Sequence, residues 1–199
     1  MRKYVLLLVV VFNLSCTIAQ GTQTVKETFE TNKYGWDEFF EKNCSASVQD
    51  GFLELQSKED GAIVRSIVDM PVNIESDFKI STKMIATKIN DKSWFGLLYN
   101  YEDENNYSCF FIQESRFEIV NKANGIISLS RRGGLILKSG KNKEVNIIME
   151  KNGGKLLFTV DNMEVIAITK LLTRNAFGFC IKENNTIKVD EVIVEQQIE

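Results

Sequence analysis

Residues Trp94–Ile112 read WFGLLYNYEDENNYSCFFI, two apolar, aromatic-rich runs joined by an acidic, Asn-rich turn. In an extended chain successive side chains point to opposite faces. Phe95, Leu97, Tyr99 and Tyr101 therefore share one face, and Trp94 and Leu98 share the other. A strand apolar on both faces is central in its sheet or lines a covered groove.

Working outward, units of the same kind fill nearly everything after residue 25. Upstream, the predicted strands are Val25–Phe29, Trp36–Phe40, Phe52–Gln56, Ala62–Val68 and Phe78–Thr87. Beyond Tyr107–Gln113 come Phe117–Asn121, Ile126–Arg131, Glu144–Glu150, Lys155–Val160, Glu164–Thr169, Ala176–Lys182 and Thr186–Glu195. Asp50-Gly51, Asn124-Gly125, Gly133-Gly134 and Asn152-Gly153-Gly154 supply turn residues that accept positive φ. Pro71 falls between strands, where its missing N–H costs no ladder bond. Glu164–Thr173 is too short and too β-branched for a helix to be preferred there. Recurrent short strands without an intervening long helix predict one all-β sandwich.

The chain opens Met1-Arg2-Lys3, continues with an apolar run from Tyr4 to Phe12, and turns polar at Asn13. A basic start, a run too short to span a bilayer and a small-residue end describe a secretory leader. Cleavage is expected after Ala19, giving residues 1–19 as signal peptide and 20–199 as a single domain. The alternative uses Cys16 as a lipid-modified N-terminus; Asn13 stands three residues before it, where lipoprotein signals carry Leu. Either way the protein is expected to be exported (periplasmic, secreted or on the cell surface), with no integral membrane span after cleavage.

Losing Arg2 and Lys3, and no acidic residue, shifts the formal charge from −3 to −5. A mildly acidic chain without a long basic run argues against a nucleic-acid partner. The absence of any His removes Ser-His-Asp and Cys-His catalysis and the commonest transition-metal ligand. Cys44, Cys109 and Cys180 remain after cleavage, an odd number. Cys109 and Cys180 both lie in apolar strand sequence, where a buried thiol is the commoner outcome and a bridge between them the alternative. Asn43, Asn106 and Asn184 head N-glycosylation patterns, to which a bacterial-looking leader gives little weight.

The order of segments is also familiar. Asp50-Gly51-Phe52-Leu53-Glu54-Leu55, Gly96-Leu97-Leu98-Tyr99 and Asp103-Glu104-Asn105-Asn106-Tyr107 are followed by Asn146-Ile147-Ile148-Met149-Glu150, Phe158-Thr159-Val160-Asp161-Asn162 and Phe177-Gly178-Phe179. Val189-Asp190-Glu191-Val192-Ile193-Val194 closes the series. Across roughly residues 25–196 this resembles the concanavalin A-like lectin/glucanase superfamily, nearest to the bacterial 3-keto-disaccharide hydrolase domain. The resemblance implies a jelly-roll sandwich of two curved antiparallel sheets, with a concave face that meets carbohydrate. Laminarinase-type members carry Glu-x-Asp-x-x-Glu on one strand, and no such spacing occurs here.

Sugar binding asks for a flat aromatic platform with planar polar groups at its rim. Trp94, Tyr99, Tyr101 and Tyr107 are the platform candidates, against core packing as the plain alternative. Gln113, Arg116, Arg131 and Arg132 are the rim candidates, Arg offering a rigid fork of donors. A glycosidase needs two carboxyl groups about 5–10 Å apart. Glu114 and Glu118, flanking the turn after Tyr107–Gln113, are the pair an enzyme would use; solvated edge carboxylates are the simpler reading. Glu102, Asp103 and Glu104 are weak calcium-ligand candidates in a turn lacking Asp-x-Asp-x-Asp spacing. The expectation is an exported glycan-binding jelly roll, monomeric or weakly associating, without catalysis or cofactor of its own. The alternatives are a hydrolase or lyase acting on a (3-keto) glycoside, and a structural or adhesion module of a cell-surface assembly.

Overall fold

The computed structural model describes residues 21–198 apart from 62, 138 and 139. The expected leader, with Cys16, lies outside the described residues. In chain order the strands begin with β1 (Gly21–Glu27), β2 (Phe39–Phe40), β3 (Cys44–Gln49), β4 (Phe52–Ser57), β5 (Ile63–Asp69) and β6 (Phe78–Ala86). They continue with β7 (Trp94–Asp103), β8 (Asn106–Ile112), β9 (Arg116–Ala123), β10 (Ile126–Gly134) and β11 (Lys143–Asn152). The last are β12 (Lys155–Val160), β13 (Met163–Thr169), β14 (Ala176–Lys182) and β15 (Asn185–Ile198). Among the described residues there is no helix, so none is long and apolar enough to cross a membrane.

Two antiparallel sheets face each other. One runs β13-β12-β11-β6-β15-β4-β3-β2, with β1 added along β15; the other runs β10-β9-β8-β7-β14-β5. β15 carries two neighbours in turn on one side: Asn185–Val189 pairs with β4, and Val192–Ile198 pairs with β1. A bulge between Val189 and Glu191 marks the handover. The all-β sandwich predicted from alternation is the fold observed.

The core fills the space between the sheets. Leu53, Leu55, Met84, Ile147 and Phe158 come from the larger sheet, and Phe95, Tyr99, Phe110, Ile119 and Phe179 from the smaller. Phe110 stacks on Phe158 at 4.5 Å, and Trp36 on Phe179 at 5.3 Å. Full burial of one such aliphatic or aromatic side chain contributes roughly 1.5–3 kcal/mol.

Turn chemistry follows the residues that accept positive φ. Asp50 and Gly51 (φ 52° and 75°) close β3–β4, and Asn124 and Gly125 (50° and 80°) close β9–β10. Both positions positive is the pattern of a type I′ hairpin, which matches the strand twist. Asp161 and Asn162 do the same for β12–β13 without glycine (48° and 67°). Gly133-Gly134 is a correction: it lies inside β10, not in a turn. A Cβ on Gly133 would stand 2.4 Å from the Phe117 ring, so this glycine makes room for a core aromatic. β3 was not expected; its CSASVQ sequence is short and poor in large apolar residues, and pairing with β2 and β4 holds it.

Candidate functional site

The six-stranded sheet turns one face to the core and carries a second apolar cluster on its other face. There the ladder sets Arg65, Cys180, Gly96, Phe111, Glu118 and Arg132 in one row across all its strands. The adjacent row is Ile67, Gly178, Leu98, Cys109, Val120 and Leu129. Leu98, Cys109, Phe111 and Cys180 are buried at its centre, with Trp94, Tyr101, Ile67 and Val120 packed around them.

Tyr101 reaches this face through a break in the alternation. Register with β8 holds from Phe95 to Tyr99 and resumes at Asp103, with extra residues between. Asn100 takes φ 52° in that bulge. Its side chain is tied on both sides, Nδ2 donating to the Leu171 carbonyl at 3.0 Å and Oδ1 accepting from the Thr173 N–H at 2.9 Å. Tyr99 is fully buried in the core, against Phe158. The expectation that Tyr99 and Tyr101 share a face is corrected, and Tyr101 joins Trp94 instead.

Two aromatic centres result. Tyr101 and Tyr107 stack at 6.4 Å with 25° between planes. The Arg65 guanidinium stands 5.5 Å from the Tyr107 ring and the Lys122 ammonium 5.8 Å from it. Lys122 also donates to the Glu104 carbonyl at 2.7 Å, and Arg65 lies 3.6 Å from the Glu104 carboxylate. Burial pushes both tyrosine hydroxyls above their ordinary pKa, Arg65 opposing the shift. At the other end Arg116 lies 5.0 Å over Trp94, which meets Phe111 edge-on at 6.3 Å. Cations over aromatic faces are drawn by the ring quadrupole.

An open groove of about 440 Å³ adjoins the tyrosine pair, lined by Arg65, Ile67, Tyr101 and Glu104 on one side and Asp37, Phe39, Glu41 and Cys44 on the other. Partial burial raises the Asp37 carboxyl above the usual carboxylate range; a bond from the Ile67 backbone opposes this and Asp69 adds to it. A larger opening of about 650 Å³ beside β1 and the last residues of β15 is lined by residues such as Gln23, Asn73 and Gln196, with no aromatic side chain.

The other expected residues separate. Gln113 is buried, donating to the Asp91 carbonyl and accepting from Arg116 Nε, so it braces the rim from below. Arg131 opposes the core residue Ile119 across the Leu129/Arg131 bulge, which puts it on the opposite face from Arg132. Glu114 and Glu118 do not face each other: Gln113 and Arg116 close the turn, leaving Glu114 at its tip, while Glu118 opposes Phe111 and pairs with Arg132. Glu102, Asp103 and Glu104 turn to separate partners, Glu102 to Arg174 at 2.8 Å, Asp103 to Asn105 and Asn106, and Glu104 to Arg65. Among the described residues no three acidic, Cys or His groups converge on one point that would hold a metal.

Sequence reasoning missed Arg65, Lys122 and Asp37. Arg65 was legible, since period two on Ala62–Val68 sets it opposite the buried Val64 and Ser66. Asp37 was not, because its groove is made by segments distant in sequence.

No family model matches the chain, and no curated sequence matches it. Solved structures do. A carbohydrate-binding module, CBM66 from Bacillus subtilis, is similar with TM-score 0.60 and 16% identity over 79% of this chain and 94% of that one. A Bacillus subtilis protein of unknown function with a galectin-like fold gives 0.62 and 12% over 88% and 96%. A Bacillus licheniformis β-glucanase gives 0.60 and 10% over 86% and 97%. These similarities show the fold, a jelly-roll sandwich of two antiparallel sheets.

Proposed function

We propose that this chain is an exported carbohydrate-binding module that presents the outer face of its six-stranded sheet to glycan and catalyses nothing itself. The observation that carries this reading is the partly exposed Tyr101 ring at the mouth of the groove, stacked on the buried Tyr107, which Arg65 and Lys122 flank. Aromatic faces take the apolar side of a sugar ring while fixed donors at the rim take its hydroxyls. The fold similarity to a carbohydrate-binding module and to glucanases supports the class of ligand. Binding to a glycan array, lost roughly tenfold or more in a folded Tyr101→Ala variant, is the expected result; about 1.4 kcal/mol corresponds to tenfold. An array on which the intact protein binds nothing overturns the reading.

One observation favours a second reading, an enzyme cleaving a glycoside. Asp37, its carboxyl raised by burial, shares the groove with Glu104. A carboxyl group raised by burial that shares a groove with a second carboxyl group is the kind of pair acid-assisted glycosidic cleavage uses. The resemblance to the 3-keto-disaccharide hydrolase domain makes 3-keto glycosides the substrates to try. Products released from them by the wild type and abolished in Asp37→Asn establish the enzyme; intact substrate after prolonged incubation removes it.

A further inference from the structure

We infer that Cys109 and Cys180 close into a disulfide that joins β8 to β14 across the intervening strand β7, beneath the proposed binding face. The sulfurs of these thiols lie 2.7 Å apart, both side chains being fully buried. That is only about 0.65 Å beyond a sulfur–sulfur bond of about 2.05 Å. Strands one place removed from each other are normally separated by about 9.5 Å, twice the inter-strand spacing. Contact over the middle strand therefore needs a gap in its side-chain layer, and the gap is at Gly96. Cys180 opposes Gly96, Cys109 opposes Leu98, and the Cys180 sulfur reaches toward the Gly96 carbonyl at 3.6 Å. Gly96 admits no side chain, since a Cβ there would fall 1.9 Å from the Phe110 carbonyl oxygen.

The third described cysteine does not compete. Cys44 lies half-exposed beside Glu41, on β3 in the other sheet. Burial and the neighbouring sulfur hold the Cys109 thiol well above its ordinary pKa, so it is a poor nucleophile once the face is packed. The exchange belongs to folding, before Arg65, Trp94 and Tyr107 cover the pair. A thiolate of one cysteine attacks a sulfur of an oxidant disulfide such as glutathione disulfide, releasing one glutathione thiolate. The other cysteine then attacks the mixed disulfide and displaces the second glutathione. Two protein thiols are oxidised, one glutathione disulfide is reduced to two thiols, and the two protons lost by the cysteines end on the two glutathione sulfurs. The product fixes the distance between β8 and β14, and with it the floor under Arg65 and Tyr107.

The test is full-length protein, reduced and unfolded, then refolded in a glutathione/glutathione disulfide buffer. The product is alkylated in denaturant without reductant and digested with trypsin. The expected result is a linked species of peptides Ser93–Arg116 and Asn175–Lys182, 2 Da lighter than their summed thiol masses and split by reductant. Cys44→Ala is expected to give the same species. Recovery of both peptides as separate alkylated thiols overturns the inference, as does linkage of either one to Cys44 or Cys16. Neither outcome depends on whether glycan binds.

Discussion

At Tyr99 a single hydroxyl sits in the packed core with no hydrogen-bond partner among the described residues. Burial drives its pKa upward, so it stays neutral throughout the physiological range. A buried hydroxyl without a partner is a net cost, of about 1–3 kcal/mol by mutational scales. Tyr99→Phe is therefore expected to leave stability unchanged or raise it by about 1 kcal/mol in a denaturant titration, whereas Tyr99→Ala loses about 3–5 kcal/mol by opening a cavity beside Phe158. A marked loss in Tyr99→Phe would mean that the hydroxyl is satisfied after all. Asp37 gives a second, pH-resolved case. Its folded pKa lies above the unfolded value, so the folded state holds the proton more tightly. Stability then falls as pH rises through that folded value and recovers as pH drops toward the unfolded one. Asp37→Asn is expected to melt higher than wild type at pH 7, with the difference shrinking at pH 4. An equal gain at both pH values would remove burial of the charge as its cause.

At the scale of elements, β7 shows what a sequence discloses and where it stops. Alternation from Trp94 to Tyr99 was legible because one face meets the core and the other a buried outer cluster. The bulge was not, because its cause lies outside the strand, in the bonds Asn100 makes to Leu171 and Thr173. Alternation carried past Asn100 assigns Tyr101 to the wrong face, so Tyr101 and Tyr107 were both named as candidates while Tyr101 was grouped with the buried Tyr99. Substitutions at Asn100 separate its two contributions. Asn100→Gly keeps the positive φ and drops the side-chain bonds; Asn100→Ala drops the bonds and adds left-handed strain of about 1 kcal/mol. Alanine is therefore expected to cost more stability than glycine by about that amount, and both should weaken any ligand that depends on Tyr101. Equal costs in urea titrations would show that backbone strain at Asn100 is not what the asparagine relieves.

Taken whole, the molecule is organised around pairings between distant parts of the chain. β15 joins β1 along Gly21–Glu27 and β4 along Ser57–Leu53, and runs beside β6 for most of its length. The two central strands, β6 and β15, alternate buried residues along nearly their full span, whereas the edge strand β10 is exposed at most positions. Ile126, Ile127 and Leu129 stand out from that edge at 74%, 58% and 49% exposure. Backbone amides open with free energies that run from near zero at frayed edges to the full unfolding value in the core. In native-state hydrogen exchange β6 and the middle of β15 are expected to exchange only through global unfolding. Amides of β10 should exchange roughly 100-fold faster or more, an opening free energy lower by about 2.7 kcal/mol. An exposed apolar edge is also where a sheet can gain a strand from another molecule. If β10 proves as protected as β6, and that protection fades on dilution, the chain associates weakly rather than staying monomeric, and the sheet continues into a second copy through β10.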